Sequence, residues 1–92
     1  MIVRRCFVDG RVQGVFYRAS TRIRAESLGV TGHASNLSDG RVEVLACGVP
    51  DAVEALCAWL WAGSPGSSVS AVAIEELPVD SVQPWPQVFH TS

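Results

Sequence analysis

Ser38-Asp39-Gly40 separates two strand-like runs, Val30 to Leu37 and Arg41 to Cys47, and an Asp-Gly turn in that position folds its flanks into an antiparallel hairpin. In the second run Val42, Val44 and Ala46 alternate with Glu43 and Leu45, so one face is expected to meet a core and the other to face away. A hairpin alone is marginal in water; its apolar face needs a partner layer.

The sequence supplies two candidate helices for that layer. Tyr17, Thr21, Ala25 and Leu28 recur at helical spacing and predict one buried face, with Arg18, Arg22 and Arg24 elsewhere around the cylinder, Ile23 off the stripe and Gly29 as the stop. After Gly48 and Pro50, Asp51 and Glu54 stand at capping-box spacing, and Val53, Leu56, Cys57 and Leu60 form a second apolar stripe. Trp59 and Trp61 are expected to pack at its margins rather than to bind a ligand.

Ile2 to Asp9 reads as a first strand, Gly10 to Val15 as a loop, and Val69 to Leu77 as a fourth strand with Val72 and Ile74 on one face. The Ser-rich stretch Ser64 to Ser70 reads as a loop, and the prolines at 78, 84 and 86 keep the tail irregular up to a short edge strand around Val88 and Phe89.

The order strand, helix, strand, strand, helix, strand predicts an α+β domain. The expected form is a ferredoxin-like βαββαβ sandwich, with both helices on one face of a mainly antiparallel four-stranded sheet and room for a short fifth strand at one edge. Right-handed crossovers make the first and third strands central neighbours. With 92 residues, 48% hydrophobic and 17% charged, one domain spanning residues 1–92 with a single core is the expectation.

Charge narrows the function classes. Six of the seven basic residues lie between Arg4 and Arg24, accompanied only by Asp9, whereas eight acids follow from Glu26 onward against Arg41 alone. A net charge of -2 in that arrangement suits a small anion near the N-terminal segment better than a nucleic acid. No apolar run approaches the roughly 20 residues of a membrane span, and Met1 leads into Arg4 and Arg5 without a signal segment, so a soluble cytoplasmic protein is expected. Cys6, Cys47 and Cys57 form neither a CxxC motif nor a Cys/His cluster, which disfavours a disulfide scaffold and a zinc site. They read as small buried hydrophobes, with a Cys6–Cys47 bridge open only if their strands adjoin.

The run Gly10-Arg11-Val12-Gln13-Gly14-Val15-Phe16-Tyr17-Arg18 joins a strand to a helix, a junction that aims unpaired backbone N–H groups at one point and favours an anion there. Arg18 in the first helical turn adds a planar fork suited to two phosphate oxygens. The bland alternative is a surface arginine beside glycines that merely turn the chain. The loop lacks the Gly-Lys-Ser/Thr ending of a Walker A sequence and the glycine spacing of a dinucleotide fingerprint, so nucleotide binding is not expected.

The runs G-R-V-Q-G-V-F-Y-R, L-G-V-T-G, N-L-S-D-G-R-V-E-V and G-S-P-G-S-S-V, in this order and spacing, resemble the acylphosphatase family over nearly the whole chain. The resemblance implies hydrolysis of acyl phosphates to carboxylate and inorganic phosphate, without metal or cofactor. It also implies that Arg18 binds the phosphate, that Asn36 orients the attacking water, and that backbone amides of Gln13, Gly14, Val15, Phe16, Tyr17 and Arg18 cradle the phosphoryl oxygens. His33-Ala34 and the tail Phe89-His90-Thr91-Ser92 depart from the family's usual pattern. His33, an odd number of residues from Asn36 on the same strand, is expected on the opposite face, and both histidines at the surface.

The expected substrate is therefore a small acyl phosphate, with inorganic phosphate as product and inhibitor, and a monomer without nucleic-acid or membrane partners. A non-catalytic or regulatory acylphosphatase-like domain that binds phosphate or carbamoyl phosphate is the alternative; a chain ending at Ser92 without zinc-ribbon cysteines favours a freestanding enzyme. An RNA-binding module of the same topology would need exposed aromatics on its sheet, and Arg41 to Cys47 carries none. A metal chaperone would need the missing CxxC.

Overall fold

A computed structural model describes residues 1–92. The elements are β1 (Ile2–Arg11), α1 (Tyr17–Leu28), β2 (Thr31–Asn36), β3 (Val42–Gly48), α2 (Pro50–Ala62), β4 (Ser68–Leu77), a 3-10 turn at Val79–Ser81, and β5 (Phe89–Thr91). The sheet order is β4-β1-β3-β2-β5, with β1 and β3 adjacent as the crossover rule requires. All pairings are antiparallel except β2 with β5, which run parallel.

Both helices lie on the face that carries Cys6 and Val8 of β1, Ala34 of β2, and Val42, Val44 and Ala46 of β3; all are buried in one cluster with Tyr17, Ala25, Val53, Leu56, Cys57 and Leu60. The two apolar stripes thus meet the face that the hairpin alternation predicted. Ile23, off the stripe of α1, is 69% exposed. Val72 packs against the core as expected, but Ile74, which shares its face, stays half exposed because β4 is an edge strand.

The expected side-chain cap of the second helix does not form. Pro50 takes the first helical position after Val49, so Asp51 falls inside the first turn rather than before it and caps nothing. A proline's fixed φ is pre-organised for that first position, and its missing N–H is one the helix start leaves unpaired anyway.

β1 runs two residues further than expected, through a bulge between Asp9 and Gly10 that keeps Gly10 and Arg11 paired with Val69 and Ser68 of β4. The same pairing starts β4 at Ser68, one residue earlier than expected, so the Ser-rich stretch ends inside the strand rather than in a loop. Gly10 sits at φ 122°, and a Cβ there would lie 2.1 Å from the Ser68 carbonyl oxygen. Gly10→Ala is therefore expected to cost about 3 kcal/mol or more, read as a lower urea midpoint at constant m-value; an unchanged midpoint would refute the close approach.

The cysteines also sort differently from the bridge considered above. β1 and β3 do adjoin, yet Cys6 registers with Val44 while Cys47 registers with Val3, and the alternation places Cys6 on the helix side and Cys47 on the opposite face. All three cysteines are free and buried. Cys6 instead meets Cys57 of α2, Sγ to Sγ at 3.7 Å. Their hydrogen bond and burial push the Cys6 thiol up, while that bond and the Arg4 charge hold Cys57 below its ordinary value.

The tail closes the sheet. β4 and β5 occupy opposite edges, so the chain between Leu77 and Phe89 passes from one edge to the other. Phe89 then docks beside Gly32 and is buried.

Candidate active site

The loop between β1 and α1 is held from both sides. Gln13 Nε2 donates to the carbonyl oxygens of Leu37, at 2.9 Å, and Arg41, at 3.0 Å, tying the loop to the turn of the β2–β3 hairpin. Ser64 Oγ donates to the Val15 carbonyl at 2.8 Å from the segment after α2. The helix behind the loop is fixed as well. The buried Tyr17 hydroxyl donates to the Leu60 carbonyl at 2.7 Å, and its ring lies 6.0 Å from that of Trp59. Burial pushes the Tyr17 phenol up, so it remains a neutral donor.

This fixed loop leaves its backbone donors unpaired. The first backbone bond of α1 is from the Ser20 N–H to the Phe16 carbonyl at 2.9 Å, and no amide from Gln13 to Arg18 donates to another backbone group. Phe16 precedes the helix in the left-handed region, φ 59° and ψ 23°, with no side-chain cap. A left-handed residue followed by right-handed ones turns successive N–H groups inward on a common centre, an anion-binding concavity completed by the positive end of the helix.

A cleft of about 320 Å³ opens over this concavity, lined by Val12, Gly14, Phe16, Tyr17, Arg18, Ala19 and Thr91. Arg18 is half-buried at its wall, where one guanidinium N–H donates to the Ser92 main-chain carbonyl. Ser92 is anchored in turn on β2: its N–H reaches the Ala34 carbonyl at 3.0 Å, and its hydroxyl and that of Ser35 lie 2.7 Å apart. Arg18 is thus linked through Ser92 to the strand that ends in Asn36.

Asn36 is the last residue of β2, paired with Val42, exposed, and on the same side of the strand as the buried Ala34. It stands outside the lining of the cleft, at the adjoining strand end, and its carboxamide takes part in none of the hydrogen bonds that hold this region. His33 points to the opposite face, where Nε2 lies 3.2 Å from a Glu43 carboxylate oxygen. His90 is exposed on β5.

Three contributions escaped the sequence. Gln13 acts through its side chain as well as its amide, and only its position between the loop and the hairpin reveals this. Ser92 and Thr91 reach the cleft through the parallel β2–β5 pairing, for which a three-residue strand gives almost no periodic signal. The left-handed backbone at Phe16 runs against the preference of a large side chain.

An α+β sandwich with unpaired amides and an arginine at its first strand–helix junction has the donor set that suits a phosphate. A family model, Acylphosphatase, matches residues 4–90. An acylphosphatase from Halorhodospira halophila is 56% identical over 80 residues, covering 87% of this chain and 85% of that protein. Among solved structures, an acylphosphatase from Coxiella burnetii superposes with a TM-score of 0.89 at 42% identity, over 99% of this chain and 92% of that one. The acylphosphatase from Bacillus subtilis gives 0.92 at 34% identity, over 100% and 99%. The chain belongs to the acylphosphatase family and is accordingly an enzyme, a hydrolase.

Proposed function

We propose that this enzyme hydrolyses carboxyl-phosphate mixed anhydrides by in-line attack of a water oriented by Asn36 on a phosphoryl group bound by Arg18 and the amides of Gln13 to Arg18. The observation that carries this reading is the run of amides from Gln13 to Arg18 that donate to no backbone group, four of whose residues, Gly14, Phe16, Tyr17 and Arg18, line one cleft.

The chemistry asks for little more. The leaving group is a carboxylate, a weak base that departs without a proton, so no general acid is required. Phosphoryl transfer then depends on positioning and on stabilising charge spread over the equatorial oxygens, and fixed amides with one guanidinium meet that need. The water needs an acceptor to orient it. A neutral carboxamide can accept from water and donate a second bond, and the Asn36 carboxamide is exposed at the adjoining strand end.

In this reading one domain acts as a cytoplasmic monomer on a small diffusible anion. No helix is long and apolar enough to cross a membrane. The test is hydrolysis of benzoyl phosphate by purified protein with a metal chelator present. Turnover that persists with chelator and is competitively inhibited by inorganic phosphate is expected. No turnover, or turnover abolished by chelator, would overturn the reading.

A further inference from the structure

Phe16 is the one non-glycine residue of the chain at positive φ, and the residue is 84% exposed. Glycine fills that backbone region without steric cost, and neighbouring Gly14 does so at φ 74°. A phenylalanine here gains little from burial to offset the strain, and strained backbone that persists without a packing reason clusters at functional sites. The ring lines the same cleft as Arg18.

The remaining wall explains what such a ring can do. Val12 and Tyr17 are buried, Gly14 has no side chain, Ala19 offers one methyl, and Thr91 is short and polar, so Phe16 carries the large exposed apolar surface of the rim. A phosphoryl group seated on the amides and Arg18 leaves the acyl half of the molecule projecting outward past that rim.

We infer that the Phe16 ring packs against the acyl group and makes the site prefer acyl phosphates with aromatic or extended apolar acyl groups over those of acetyl size. This rests on the reading of the site given above. The contact acts on the transition state as well as on the bound substrate, because the acyl group is still at the rim while its bond to phosphorus breaks. It therefore reads out in kcat/KM.

The test compares kcat/KM for benzoyl phosphate and for acetyl phosphate in the wild type, Phe16→Gly and Phe16→Asn. Glycine and asparagine both accept the left-handed region, so the backbone of the loop persists while the ring is lost. The benzoyl-to-acetyl ratio is expected to fall about tenfold in both variants, the size of losing apolar contact with one ring face. The ratio cancels differences in active fraction between preparations. A ratio within about twofold of the wild type in both variants would overturn the inference. A wild type that hydrolyses neither substrate would instead refute the proposed activity.

Discussion

Arg18→Gln is expected to lower kcat/KM for benzoyl phosphate by roughly 10³-fold or more and to remove inhibition by inorganic phosphate at the same time. Glutamine keeps a neutral donor on a shorter side chain but loses the charge and the paired N–H geometry that fits two phosphate oxygens. In the proposed mechanism the guanidinium binds the phosphoryl group before reaction and stabilises the charge that shifts onto its oxygens during it. Ground-state affinity and turnover should therefore fall together. Arg18 is half-buried and has one protein partner, the Ser92 carbonyl, so the fold should survive, as a near-native urea midpoint would show. A variant that lost turnover but still bound inorganic phosphate normally would contradict the assigned role.

Asn36→Ala should behave differently. The expected loss is about 10²-fold or more in kcat, with inhibition by inorganic phosphate retained, because the carboxamide is proposed to hold the water rather than the phosphate. The residue is exposed at the end of β2 and outside the hydrogen bonds of Gln13 and Ser92, so truncation removes no bond that supports the loop. Intact kcat would leave the attacking water without its proposed anchor. Loss of phosphate inhibition would move Asn36 into the binding step.

Most of the sandwich was legible because its signals are local. The Asp39-Gly40 turn, the alternation of Val42, Val44 and Ala46, and the stripes of Tyr17, Thr21, Ala25 and of Val53, Leu56, Leu60 each depend on a few neighbouring residues, and all face as expected. What went unread depends on distant partners. The bulge at Gly10 exists because β4 lies alongside, and the pairing beyond it brings Ser68 into the strand. The partner of Cys6 is set by where α2 crosses the sheet, which spacing within either element cannot reveal.

The site divides along the same line. Loop physics nominates Arg18 and the amides after Gln13 from residue type and position alone. Asn36, by contrast, is an ordinary polar strand residue until the family pattern singles it out, and the link between its strand and Arg18 runs through Ser92, more than 50 residues further along the chain. Phe16 was legible as a position in the cradle, but its left-handed backbone and bare ring were not.

The central place of β1 bears on how fast the protein acquires its activity. This strand pairs with β3, and then with β4 at partners as distant as Val3 and Leu77. Such non-local closure makes folding slower than in helical domains of similar size, because chain entropy is lost before the contacts repay it. The loop that carries the amides emerges directly from the end of β1 that β4 secures, and Arg18 is steadied through β2 and Ser92. During refolding from urea, catalytic activity should therefore return with the last global phase rather than with the early gain of helix signal.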